Sequence, residues 1–190
     1  DLAKIERIVA PYKNNPKVKL LGVEPDANYN RTVVTVLGDP EEVKKAVIES
    51  IGIATKEIDM NVHKGEHKRM GATDVVPFLP IQEMTTEECN EISREVAKAV
   101  WEQFQLPVFL YENTATAPNR VSLPDIRKGE YEGMAEKLKQ PEWAPDFGER
   151  APHPTAGVTA IGCRMPLIAF NINLATTNMD IPKEIAKAIR

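Results

Sequence analysis

Histidine, cysteine, long apolar runs and excess positive charge are all scarce in this chain, and each scarcity removes a class of function. The 190 residues include three histidines (His63, His67 and His153) and two cysteines (Cys89 and Cys163). The cysteines have no metal-ligand spacing and no secretory context, so they read as free thiols in a reducing cytosol. No stretch approaches the roughly 18 apolar residues that a membrane-spanning helix needs, and no signal peptide is visible. A soluble, cytoplasmic protein is expected, with no membrane partner. The 24 Lys and Arg residues stand against 28 Asp and Glu, a net charge of −4. Binding to a nucleic-acid backbone relies on a basic surface, so nucleic acid is not an expected partner. What remains is ordinary globular composition, 42% hydrophobic and 27% charged, long enough for one domain and the first element of a second. The chain opens at Asp1, without methionine and directly in a helical pattern, so it is expected to begin inside a longer natural sequence. Oligomeric state is not legible, and a homo-oligomer is left open.

Leu2, Ile5, Ile8 and Val9 recur at helical spacing, a pattern predicted to end before Pro11. Val18–Val23 and the β-branched Arg31–Leu37 read as strands, separated by a turn-forming loop, PDANYN. Asp39 is placed to cap a helix that has Pro40 at its first position and Val43, Val47, Ile51 and Ala54 on its buried stripe. After an irregular polar stretch, VVPFL (75–79) reads as a short strand weakened by Pro77. Thr85 or Thr86 caps the next helix, which carries Cys89, Ile92, Val96, Val100 and Phe104. Pro107–Tyr111 is a strand, Leu123–Gln140 a helix interrupted near Gly129, and Val158–Cys163 and Leu167–Leu174 a closing pair of strands. A last helix runs from Ile181 to Arg190. One strand added ahead of Asp1 would turn the first part into the β-α-β-β-α-β order of ferredoxin-like folds. The expected class is therefore α+β, a mixed sheet with helices mainly on one face and its first strand missing.

The chemistry concentrates in HKGEHKRMG, which holds two of the histidines, the side chains best suited to moving protons near neutral pH. Metal binding by His63 and His67 is disfavoured. Gly65 weakens a helix that would align them, and Lys64, Lys68 and Arg69 surround them with positive charge. A solvated charged loop remains the plain alternative at this level of reading.

The whole string IDMNVHKGEHKRMGATDVVPFLP resembles the signature of the formiminotransferase domain of glutamate formimidoyltransferases and formimidoyltransferase-cyclodeaminases. NRTVVTVLGDPEEV, LPDIRKGEYEGMAEKLK, EWAPDFG and LIAFNINLAT are similar to further segments of it, in family order. The resemblance implies transfer of a formimino group from N-formimidoyl-L-glutamate to tetrahydrofolate, in histidine degradation, with no metal. It also implies two ferredoxin-like subdomains with folate in a tunnel between them. Residues 1–178 are then expected as the N-terminal subdomain and 179–190 as a linking helix. The family's opening strand, with its Val-Pro-Asn-Phe-Ser-Glu-Gly-like motif, and its second subdomain have no counterpart here. A noncatalytic folate-binding or interaction module of the same fold is the alternative.

Residue by residue, the resemblance puts the catalytic histidine on His67, with His63 orienting it or lying outside the site. It puts the folate-contacting loop on Gly148, Glu149, Arg150, Ala151, Pro152, His153, Pro154, Thr155, Ala156 and Gly157. Two bordering glycines let backbone approach a flat ligand closely, and Arg150 or His153 can meet carboxylate or ring polar groups. A Pro-rich connector is the alternative reading of that loop. Glu24 and Asn30 are candidates to enter the site from the sheet edge. Trp101 and Trp143 are read as packing residues.

Overall fold

The computed structural model describes residues 1–167 and 172–189. Its first helix, α1 (Leu2–Lys13), starts on the Asp1 carboxylate, which accepts from the amides of Ala3 and Lys4 at 2.9 and 3.3 Å. The predicted stop before Pro11 is wrong, because the helix continues two residues past it. Pro11 deprives only the Arg7 carbonyl of its helical donor, while Pro11 and Tyr12 are both buried. Burial outweighs the one lost bond.

Strands β1 (Val18–Asp26) and β2 (Arg31–Gly38) form an antiparallel hairpin. Strand β1 extends into the segment expected as loop and leaves residues 27–30 for the turn. The Asp26 carboxylate accepts from the Asn28 and Tyr29 amides, both at 2.9 Å. Asn30 takes a left-handed φ of 49°, which its short polar side chain tolerates. Helix α2 (Pro40–Glu57) is capped by Asp39 and buries Val47, Ile51 and Ala54, as its pattern predicts. After β3 (Val75–Phe78), α3 (Thr86–Phe104) begins in a capping box between Thr85 and Glu88. Strand β4 (Val108–Leu110), the short helices α4 (Leu123–Arg127) and α5 (Glu130–Lys139), β5 (Thr159–Cys163) and α6 (Asp180–Ala188) follow. Gly129, at φ 93°, separates α4 from α5. Half of the strand expected over Leu167–Leu174, residues 168–171, lies outside the described residues, as does the last residue of the expected final helix, Arg190; residues 167 and 172–174 are not in a strand.

The strands lie in two sheets: the β1-β2 hairpin and a parallel sheet in the order β3-β5-β4. Pro77 fits because β3 is an edge strand among the described residues. Helices α1, α2 and α3 pack in sequence on one side. Period-two alternation then divides the side chains of the parallel sheet. Val108, Leu110 and Ile161 join the core beneath α2 and α3, whereas Phe109, Tyr111 and Ala160 join a second core with Ile126, Met134 and Leu138. Helices α4 and α5 thus cover the other face of the parallel sheet, so the expected one-sided cover holds for the hairpin only. Both faces of β5 are buried, in keeping with the parallel sheets of α/β proteins.

The connection from α5 to β5 is held by a buried ion pair. Asp146 binds Arg120 at 2.6 Å, with side chains 6% and 9% exposed. It also accepts the Leu110 amide at 2.8 Å and the Thr116 hydroxyl. Removing one member of such a pair strands the other charge, which costs about 3–5 kcal/mol. Asp146→Ala should lower unfolding free energy by that order in a urea titration, and Arg120→Met/Asp146→Leu should recover most of the loss.

Candidate active site

Residues 58–74 contain no helix or strand, yet backbone and side-chain bonds tie them to the segment before β5. The Met60 amide donates to the Thr155 carbonyl at 2.7 Å, and Asn61 Nδ2 to the Pro154 carbonyl at 2.9 Å. Tyr131 Oη donates to Asn61 Oδ1 at 2.8 Å. At the other end, the Ala72 amide donates to Ala156 at 2.9 Å, and the Val158 amide to Met70 at 3.1 Å. Two glycines make this approach feasible. A Cβ on Gly71 would lie 2.0 Å from the Val158 carbonyl oxygen, and one on Gly157 would lie 2.3 Å from that of Met70. Gly157 also has φ +72°. The histidine-rich stretch and the end of the 148–157 loop therefore form one surface at the N-terminal edge of the parallel sheet.

His67 lies on that surface with its side chain 25% exposed. Its Nε2 is 3.9 Å from Asp74 Oδ2, and its ring centre is 6.2 Å from that of Tyr29. Asp74 is itself fixed, accepting the Met70 amide at 2.8 Å on one oxygen and Arg127 on the other. Burial pushes the His67 pKa below its usual value; Asp74 opposes this, and the positive charges of Arg127 and Arg31 add to it. An imidazole so placed is largely neutral near pH 7 and able to accept a proton.

His63 is also held low by burial first, then by Arg69 and Lys64. Its Nδ1 lies 3.4 Å from Asn30 Nδ2, and Asn30 also donates to the Lys64 carbonyl at 2.6 Å. Gly65 lets the hairpin come this close, because a Cβ there would meet the Tyr29 carbonyl oxygen at 2.3 Å. Arg69, buried, donates to Glu132 at 2.9 and 2.7 Å and to Glu130 at 3.1 Å. Its hydrogen bonds hold the Glu132 carboxyl down at about 2. The positive stretch around the histidines is thus tied to the start of α5.

The loop expected to contact folate divides in two. Gly148 packs against Pro107 and Trp101 at φ +125°, and Glu149, Arg150 and Ala151 are exposed. Pro152 and His153 are half-buried, Pro154 is exposed, Thr155 is half-buried, and Ala156 and Gly157 are buried. Only this second part meets the His67 segment in the bonds described above. Asn30 reaches the same segment. Glu24 lies in β1 opposite Val33 and makes no hydrogen bond to the segment among the described residues. Trp143 packs edge-on against Phe109 with Lys137 Nζ 3.8 Å from its ring centre. Among the described residues, no three His, Cys, Asp or Glu side chains converge as a metal-ligand group.

The family description "formiminotransferase domain, N-terminal subdomain" matches residues 1–164. The chain belongs to that family. A glutamate formimidoyltransferase of Streptococcus pyogenes serotype M1 is 52% identical over 188 residues, covering 99% of this chain and 63% of that protein. One from Thermoplasma acidophilum is 42% identical over the whole chain and 63% of its own length. The formimidoyltransferase-cyclodeaminase of Mus musculus is 44% identical over 91% of the chain and 32% of its length. The chain thus spans about 63% of the first two of these relatives. Reading the sequence singled out the histidines but passed over Tyr29, Asp74, Arg127 and the Glu130–Glu132 pair. Arg127, Glu130 and Glu132 lie in LPDIRKGEYEG, Tyr29 in the PDANYN turn and Asp74 at the end of the histidine stretch, and residue type alone does not show that these segments meet.

In this formiminotransferase subdomain, His153 Nδ1 accepts the amides of Ala156 at 3.0 Å and Thr155 at 3.3 Å. That nitrogen accepts only when unprotonated, and burial depresses the pKa of the ring. For a depressed group, the stability is fully present above the unfolded value, near 6.5 for histidine, and is lost as pH falls through the lower folded value. Wild type should therefore lose more unfolding free energy than His153→Gln between about pH 7.5 and about pH 5.5. Equal losses in urea titrations would reject this role.

Proposed function

We propose that the chain supplies the catalytic half of a glutamate formimidoyltransferase, which moves the formimino group of N-formimidoyl-L-glutamate to N5 of tetrahydrofolate. The observation that most supports this reading is the joining of the His67 segment to residues 153–157 by paired backbone bonds. Those two segments are the ones the family resemblance gives to proton transfer and to folate.

In the proposed reaction, N5 attacks the amidine carbon and forms a tetrahedral adduct. His67 takes the proton that N5 must lose. It returns that proton to the glutamate nitrogen as the old C–N bond breaks, leaving the formimino group on N5 and releasing glutamate. One neutral imidazole suffices for both transfers, and its depressed pKa favours the base form at the start. Asp74, beside Nε2, favours the imidazolium between the two steps. Residues Gly148–Gly157 hold the folate ring system, with the buried Ala156–Gly157 backbone as the rigid part and the exposed Glu149–Ala151 as the part that closes on it.

The fold reading goes with this. Residues 1–178 act as an N-terminal subdomain of ferredoxin-like type, and 179–190 lead to a C-terminal subdomain that completes the folate tunnel. Support comes from β2 and β3. Both contribute to the core beneath α1–α3, yet each lacks a hydrogen-bonded strand on one side among the described residues. One strand preceding α1 would join the hairpin and the parallel sheet into a single mixed sheet.

A transfer assay on the protein at its full natural length tests the assignment. His67→Ala should lower turnover by at least about 100-fold, the usual scale of a general acid–base group, with a much smaller change in tetrahydrofolate affinity. Wild-type turnover in that variant would reject the role of His67.

A further inference from the structure

Most arginines described in the structure are held by carboxylates. Arg7 pairs with Glu57, Arg69 with Glu130 and Glu132, Arg94 with Glu87 and Glu91, Arg120 with Asp146, and Arg127 with Asp74. Arg31, half-buried at the start of β2, forms no ion pair and no side-chain hydrogen bond among the described residues. Its Nε is buried without a partner. The same is true of Nε in Arg69, Arg120 and Arg127, but both terminal nitrogens of Arg69 and Arg120 and one of Arg127 are engaged.

The position of Arg31 is as informative as its lack of partners. Its Cζ lies 5.4 Å from the centre of the Tyr29 ring, and the His67 ring lies 6.2 Å from the same centre. Tyr29 and Arg31 flank Asn30, whose amide is fixed on the Lys64 carbonyl. The hairpin thus presents a free guanidinium, backed by an aromatic ring, beside the proposed proton-transfer group. A guanidinium offers a planar fork of donors that matches a carboxylate.

We propose that Arg31 binds the α-carboxylate of the amino-acid donor and so selects an acidic substrate. The inference rests on the assignment of His67 above. In N-formimidoyl-L-glutamate the α-carboxylate is the charged group fewest bonds from the reacting amidine carbon, so it must lie near His67 when that carbon does. Tetrahydrofolate also carries carboxylates, but they lie beyond its aminobenzoyl group, remote from N5. Binding of the α-carboxylate also couples to the chemistry. After burial and Arg127, the charge of Arg31 is among the influences that lower the His67 pKa. Neutralising that charge makes the imidazole a stronger base once the donor is in place.

The test pairs residue with substrate group. With N-formimidoyl-L-glutamate, Arg31→Gln should lower kcat/KM roughly 100-fold, the scale of a charge-assisted hydrogen bond to a carboxylate, and Arg31→Lys should recover part of it. With N-formimidoyl-4-aminobutyrate, which lacks the α-carboxylate, wild type and Arg31→Gln should give nearly equal kcat/KM. An equal loss on both donors would overturn the proposal, and an accompanying rise in KM for tetrahydrofolate would transfer the residue to the folate tail. Insensitivity only to a donor lacking the γ-carboxylate would also overturn it. Calorimetry with L-glutamate reads the site without turnover: wild type should bind, and Arg31→Gln should bind at least about tenfold more weakly. If the wild-type protein transfers no formimino group yet shows this difference, the functional reading fails while the anion site stands. If neither protein binds L-glutamate, the anion site fails.

Discussion

The crossing of Gly71 and Gly157 is the constraint on which the candidate site depends. Each needs the absence of a side chain, because a Cβ on either would press into the other strand's backbone. The bonds on both sides, Ala72 to Ala156 and Val158 to Met70, align two otherwise irregular segments in antiparallel register. One segment carries His67 and the other ends the proposed folate loop. The crossing lies at the start of β5, whose side chains enter cores on both faces. The candidate site therefore inherits the rigidity of the most buried strand, while His67 and residues 148–157 remain outside helices and strands.

Electrostatics complete what the backbone begins. Lys64, Arg69 and Arg127 would repel one another if left free, but Glu132, Glu130 and Asp74 pair with them. These contacts bring the start of α5 and the end of α4 against the histidine segment. Burial then keeps the three histidines largely neutral, each in a different setting. His67 is part-exposed beside Asp74, His63 lies beside the hairpin, and His153 is used as an acceptor that closes its own loop.

Much of the fold was legible because local rules determined it. The Asp39 and Thr85 caps, the Gly129 break and the buried stripe of α2 follow from neighbouring residues alone. The continuation of α1 past Pro11 was not legible, since it depends on the burial of Tyr12 against distant elements. Nor was the two-sided cover of the parallel sheet, because α4 and α5 are too short for their periodicity to reveal which layer they join. At the candidate site, histidine scarcity pointed to the stretch that the fold joins to the segment before β5. Asp74, Arg127 and Arg31 were invisible as partners or as free charges, because pairing is a property of space and not of residue type.

The central claim is that the His67 segment and the Gly148–Gly157 loop form one ligand site. Amide hydrogen exchange on the full-length protein, with and without saturating tetrahydrofolate, tests it directly. The account predicts slower exchange on folate binding in both segments, with the larger change at Glu149–Ala151, which is exposed, and a smaller one at Ala72 and Gly157, which already sit within the crossing. Exchange unchanged in both segments at saturating folate would contradict it.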